Sequence, residues 1–265
     1  MMNLSAALLD ILMPWVFALA LNLVLLLIAW FAPKKLLTPA GLVHAGILGT
    51  ILWGTLGWRG YLVMMFYFLV GSAVTRIGLA QKEAAGIAEK RSGARGPENV
   101  WGSALIATLC ALGTYGFASF PSVWTPTIIS LLLLGYVASM STKLSDTCAS
   151  EVGKAYGKRT FLITNLQPVA RGTEGAVSLE GTLAGVLGSA ALASLAWGLG
   201  LIMPLDIGIC VIAAFVATNL ESVIGATLQS KVNWLTNEVV NIINTLIGAI
   251  VAVGIAVLVQ IVLHL

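Results

Sequence analysis

From Ile11 to Phe31 the chain carries no charged residue, and a second uncharged apolar run extends from Val239 to Leu263. Each is long enough to cross the hydrocarbon core of a bilayer, which takes about 20 residues of helix. Lipid offers no partner to a bare N–H or C=O, so a spanning segment must be a helix or part of a closed barrel. Runs of this length, without alternation of apolar and polar residues, predict helices. Segmentation by apolar length gives eight: 8–31, 41–58, 60–75, 101–119, 125–140, 179–203, 206–228 and 239–263. The second and fifth are short and contain glycine or serine, so six to eight crossings fit the pattern. A hydrophobic share of 58% with only 9% charged residues supports the assignment. The expectation is an all-α, polytopic transmembrane bundle of about eight helices, with residues 1–265 forming one integral-membrane domain. The first run follows no basic residue and is too long for the core of a cleavable signal, which predicts a retained helix.

Charge placement then sets sidedness. With eight crossings, thirteen of the fourteen lysines and arginines fall on one side, and Arg59 alone lies on the other. The positive-inside rule makes the rich side cytoplasmic and puts both termini outside. A net charge of +3 argues against a nucleic-acid partner. Three cysteines without CxxC spacing support neither a disulfide framework nor a zinc site. Three polar blocks, Arg76 to Asn99, Ser141 to Ser178 and Asn219 to Asn244, emerge on the same cytoplasmic face, where they can form one site.

The middle block contains STKLSDTCASEVGKAYGKRT. At 100° per residue, Lys143, Asp146, Thr147, Ser150, Glu151, Gly153, Lys154, Gly157 and Lys158 share about half of a helical circumference. One reading is an amphipathic extension of the fifth helix, with its apolar stripe on the bundle and Glu151–Lys154 as an ordinary ion pair. The other is a site: Asp146, Ser150 and Glu151 offer oxygens to a hard cation, and Lys143, Lys154 and Lys158 meet phosphate oxygens. Downstream, Gly172, Thr173, Gly175, Ser178, Gly181, Thr182 and Gly185 surround the entry to the sixth helix, where free N–H groups favour an anion. Tight helix packing through Gly181 and Gly185, with Ser178 as an N-cap, explains them equally well. Glu174 and Glu180 at the membrane edge call for neutralisation by a cation or a lysine from another block.

In the seventh helix Asn219, Glu221 and Ser222 interrupt an apolar run. An unpaired ionised glutamate at that depth costs at least about 2.5 kcal/mol, so Glu221 marks a functional position or pairs with Lys143 or Arg76. Asn237, Asn241 and Asn244 share one face of the eighth helix, available to neighbouring helices or to a ligand. KRSGARGPEN (Lys90 to Asn99) reads as a phosphate-binding turn or as a plain connection. GKAYGKRT is not a Walker A loop, because it lacks one residue of the spacing and has Arg159 where a magnesium-binding hydroxyl belongs.

The residues from Asp146 to Thr160 and from Gly172 to Thr182, with Arg95-Gly96-Pro97-Glu98-Asn99-Val100-Trp101-Gly102 and Asn219 to Thr227, resemble the integral-membrane family that contains phytyl-phosphate kinase and transmembrane protein 19. The elements D-x-x-A-S-x-x-G-K-x-x-G-K and S-x-E-G-T are also distantly similar to those of CTP-dependent phytol and dolichol kinases. The resemblance implies transfer of a phosphoryl group from a nucleoside triphosphate, with CTP as the expected donor, to a prenyl monophosphate lipid in the presence of Mg2+. The membrane would be the cell inner membrane or the thylakoid. On that chemistry Asp146 and Glu151 are the expected metal ligands, with Glu180 or Glu221 completing the shell. Lys143, Lys154, Lys158 and Arg171 are the phosphate partners. Ser150, Gly153, Gly157, Thr173 and Gly181 supply hydroxyl or backbone contacts, and Arg76, Arg95 and Asn99 serve a second phosphate. Glu174, Ser178 and Asn219 complete the substrate-binding set. A transporter and a lipid cytidylyltransferase are the competing expectations.

Overall fold

The computed structural model describes residues 4–229 and 231–264. Its α-helices are α1 (Leu4–Phe31), α2 (Pro39–Thr75), α3 (Leu79–Ala84), α4 (Pro97–Ser119), α5 (Thr125–Tyr156), α6 (Leu179–Gly198), α7 (Pro204–Ile224) and α8 (Asn237–His264). All except the six-residue α3 are long and apolar enough to cross a membrane. A two-stranded antiparallel ribbon, β1 (Thr160–Leu162) with β2 (Ala176–Ser178), pairs Thr160 with Ser178 ahead of α6. Nothing in the apolar pattern announced this ribbon.

α2 is two arms, not one rod. Gly57 sits at φ 66°, ψ −165°, outside helical space and in a region that favours glycine. On a straight helix at 1.5 Å per residue, Gly41 and Gly71 would lie about 45 Å apart. Instead both touch Arg95: a Cβ at Gly41 would stand 2.4 Å from its carbonyl oxygen, and one at Gly71 2.9 Å from its guanidinium. Nearer the bend, Tyr61 donates to Asn22 Oδ1 at 3.0 Å, and the same oxygen abuts Gly49. The chain therefore folds back at Gly57 into antiparallel arms of about 18 residues, roughly 27 Å each. The separate segments 41–58 and 60–75 expected from apolar length correspond to these arms.

α5 is the axis of the bundle and packs against α2, α4, α6, α7 and α8. Every residue from Leu134 to Cys148 is buried. Beyond the expected span end at residue 140 the helix continues unbroken to Tyr156, as the extension of the fifth helix considered from the sequence, and within it Lys143 finds Asp146 and Asn241 as partners inside the bundle. Tyr136 donates to the Gly60 carbonyl at 2.7 Å, closing α5 on the second arm of α2.

The α5–α6 contact is built on small residues. A Cβ at Gly181 would lie 2.5 Å from the Ala149 carbonyl, one at Gly185 2.9 Å from Ser145 Oγ, and one at Gly188 2.9 Å from Cys148 Sγ. Close backbone approach of this kind allows the van der Waals packing that helps drive helix association in lipid. Gly181→Ala forces a methyl onto a backbone oxygen, so it is expected to destabilise the protein by about 1–3 kcal/mol. Thermal unfolding in detergent checks it.

Candidate functional site

The polar ends of the helices enclose a cavity of about 760 Å³ lined from α2, α4, α5, α6, α7, α8 and the connecting loops. One wall belongs to α5. Lys143 Nζ donates to Asp146 Oδ2 at 2.5 Å and to Asn241 Oδ1 of α8 at 2.7 Å. One turn on, Glu151 is buried between two lysines: Lys82 of α3 binds its Oε2, and Lys154 lies 3.1 Å from its Oε1. Lys82 is only 1% exposed and also donates to the Thr75 carbonyl at 2.8 Å, anchoring α3 beneath the rim. Lys154 reaches Glu89 Oε1 at 3.2 Å. Burial opposes charge on Glu89, but Lys154, Lys143 and Arg95 outweigh it and hold its carboxyl below the usual glutamate range.

The opposite wall is Arg95. Its Nη1 donates to the Tyr67 hydroxyl at 2.7 Å, and its guanidinium lies 5.0 Å from the Tyr67 ring centre and 5.7 Å from that of Phe68. Its backbone joins the segment before α2, with Thr38 N–H donating to Arg95 O and Arg95 N–H to Leu36 O. Arg95 is thus fixed by both arms of the hairpin, its backbone at the start of the first and its guanidinium on the second. Arg91, at φ 57°, contacts Glu98 and donates to Asn99 Oδ1 at 2.9 Å. Asn99 also caps α4 by accepting from Gly96 N–H at 3.0 Å.

Of the residues singled out in the sequence, Lys143, Asp146, Ser150, Glu151, Gly153, Lys154, Arg95, Asn99, Thr173, Glu174, Ser178, Gly181, Asn219 and Glu221 all line this cavity. They come from four stretches of chain that meet only in the fold. Glu221 of α7 is within electrostatic reach of Asp146, Lys143, Glu174 and Lys154. Ser178 caps α6, accepting from Gly181 N–H at 3.1 Å, and its Oγ sits against Gly153 and Gly157. Asn219 Nδ2 donates to the Phe215 carbonyl.

Five expected residues stand apart from the lining. Lys158 lies with Arg159, Thr160, Phe161, Pro168 and Val169 around a separate depression at the ribbon, because α5 ends at Tyr156 and the chain turns away. Gly157 ends α5, its N–H donating to Gly153 O at 3.0 Å. Arg171 Nη1 donates to the Ala155 carbonyl at 3.2 Å, satisfying one of the last free carbonyls of α5. Arg76 donates to the Lys35 carbonyl at the exposed rim. Glu180 occupies the first turn of α6, where a carboxylate complements the helix dipole. Arg91, which also lines the cavity, lies in the turn that the sequence offered as phosphate-binding or as a plain connection, whereas Lys82, Glu89 and Tyr67 escaped the reading. Only Lys82 carried a signal, as an isolated lysine within the polar block that begins at Arg76, and Asn241 was already marked by the asparagine face of α8.

A magnesium ion, if one binds here, would suit these carboxylates better arriving with phosphate than as a resident ion. Among the described residues no group of three or more His, Cys, Asp or Glu side chains forms a metal cage. Magnesium bound to a nucleotide commonly needs only one or two carboxylates and takes its remaining ligands from phosphate and water. Asp146 and Glu221 would supply them, since both oxygens of Glu151 have lysine partners.

Comparison with known proteins places this site in a family. Residues 22–249 match the model of the integral membrane protein family DUF92. An uncharacterised membrane protein of Synechocystis sp. is 67% identical over 91% of each chain. The chloroplastic protein VTE6 of Arabidopsis thaliana is 45% identical over 90% of this chain and 71% of its own length. An uncharacterised membrane protein of Methanocaldococcus jannaschii is 34% identical over 83% and 86% of the two chains. No solved structure matches the chain. With most of its length matched, and with relatives from cyanobacteria, plants and archaea, this multi-pass helical chain belongs to the DUF92 family of integral membrane proteins.

Proposed function

We propose that the protein is a membrane kinase that converts an isoprenoid monophosphate of the phytyl type to its diphosphate at the expense of a nucleoside triphosphate, CTP being the expected donor. The observation that carries this reading is the cavity, where Lys143, Lys154, Arg91 and Arg95 face Asp146, Glu174 and Glu221 at the polar end of a lipid-embedded bundle. The family motifs and the relationship to VTE6 support the same substrate class.

The reaction joins two anions, so its difficulty is charge repulsion and alignment. An oxygen of the lipid phosphate forms a P–O bond to the terminal phosphorus of the nucleotide while the bond to the bridging oxygen breaks. The products are the prenyl diphosphate and a nucleoside diphosphate. A phosphate monoester is already ionised and needs no strong base. Lys143, held between Asp146 and Asn241, and Lys154, held between Glu151 and Glu89, present ammonium groups at fixed points for the phosphate oxygens. Arg95, braced on Tyr67, offers a planar donor to a second phosphate group. Magnesium, when bound with the nucleotide, neutralises charge between adjacent phosphates.

Incubation of purified protein with prenyl monophosphates and labelled CTP tests the reading. Labelled CDP together with prenyl diphosphate is the expected result. Release of pyrophosphate identifies a cytidylyltransferase instead, and no nucleotide turnover points to a transporter. We further place the cavity on the cytoplasmic side. Thr173→Cys is then expected to resist a membrane-impermeant maleimide applied to intact cells and to react in inverted vesicles, whereas ready labelling from outside reverses the assignment.

A further inference from the structure

A substrate with a charged head and a long apolar tail needs an exit from the charged cavity into lipid. Among the lining residues contributed by the membrane-spanning helices, almost every side chain larger than alanine carries a polar group. The exceptions are Val186 of α6 and Phe215 of α7. Both are the deepest lining positions of their helices, because α6 runs inward from its cap at Ser178 while α7 runs outward to Glu221 and Gly225. On α7, Ile212 lies one turn deeper on the same face, outside the lining and 53% exposed, and Phe215 itself is 46% exposed. Leu183 and Leu187 flank Val186 and are exposed too. An apolar track therefore continues from the cavity to the outer surface of the bundle.

Three other sides of the cavity are closely held. α5 and α6 meet through Gly181, Gly185 and Gly188 with no room for a methyl group. Between α4 and α8, a Cβ at Gly102 would stand 3.2 Å from the Glu238 backbone, and the lining there is polar. On the α2 side the Tyr67 hydroxyl is tied to Arg95.

We propose that the seam between α6 and α7 at Val186 and Phe215 is the lateral portal through which the isoprenoid chain of the lipid phosphate passes from the cavity into the bilayer. The proposal rests on the prenyl-phosphate reading for the identity of the occupant. Bulk at this seam selects against long chains and leaves a short-chain head group free to bind.

Chain length is the diagnostic variable. In Phe215→Cys, a bulky maleimide attached after purification is expected to lower kcat/KM for a C20 monophosphate by on the order of tenfold or more, while a C5 monophosphate stays within about twofold. Wild-type protein treated in the same way controls for Cys110, Cys148 and Cys210, and Val186→Trp is expected to behave like the modified cysteine. Equal losses for both substrates, or none, overturn the portal. A C20 monophosphate with a terminal diazirine gives a readout independent of turnover. Labelled peptides from α6 and α7 are expected, and labelling confined to other helices overturns the proposal. Should the native protein phosphorylate neither substrate yet be labelled on α6 and α7, the kinase reading fails and the portal stands.

Discussion

Lys143→Met is expected to reduce the rate of prenyl-phosphate phosphorylation by on the order of 10²- to 10³-fold, the usual effect of removing one fixed donor from a site of developing charge. The side chain makes two contacts on different helices, Asp146 on α5 and Asn241 on α8, so its position costs no reorganisation when substrate arrives. The same substitution abandons Asp146, which is only 8% exposed. A buried carboxylate stripped of its partner destabilises by about 3–5 kcal/mol, so loss of rate alone would be ambiguous. The double variant Lys143→Met/Asp146→Asn removes both charges and separates the effects. It is expected to recover most of the thermal stability lost by the single variant while remaining inactive. Wild-type turnover in the double variant would remove the pair from the reaction.

Glu151→Gln has the largest expected effect on the fold. Glu151 and Lys82 are 2% and 1% exposed, and the pair joins α5 to the short α3 across a loop. Neutralising the carboxylate leaves the Lys82 ammonium buried without a counter-charge, with only neutral oxygens such as the Thr75 carbonyl to accept from it, at a cost of about 3–5 kcal/mol. That is a large share of the about 5–15 kcal/mol that holds a typical domain together. Lys154 keeps Glu89 and suffers less. Lys82→Met/Glu151→Gln should regain much of the loss, because no charge is then stranded. Melting temperatures of the two variants in the same detergent decide the point. A single variant as stable as wild type would show that water reaches Lys82.

The sequence carried the framework clearly and the electrostatics only in part. Apolar runs located the long helices, including the two arms of α2, because lipid imposes a length on helices that composition reveals directly. The same measure stopped the fifth span at residue 140, since a hydropathy window counts Lys143 and Asp146 as two charges and cannot register that each neutralises the other. Spacing on a helical wheel brought Lys143, Asp146, Glu151 and Lys154 to one face. It extended that face to Lys158, which the end of α5 at Tyr156 turns away. The pairings of Lys82 and Glu89 were invisible for a different reason. Their partners, Glu151 and Lys154, lie more than sixty positions along the chain, and no local pattern encodes such a pairing. Glycines at positions 181 and 185 suited both an anion site and helix packing. The structure gives them the packing role and places them on the cavity wall as well, so close approach and access to the cavity are two results of one stripe.

Gly57 controls more than the shape of one helix. Were the backbone there helical, the two arms would merge into a single crossing, and everything downstream would enter the bilayer in the reverse sense. Arg91 and Arg95 would then lie across the membrane from the segment before α2 that Arg95 now grips, and each later helix would be inverted relative to α1. The parity of the whole polypeptide thus hangs on one residue without a side chain, whose backbone angles let the chain reverse between the two arms.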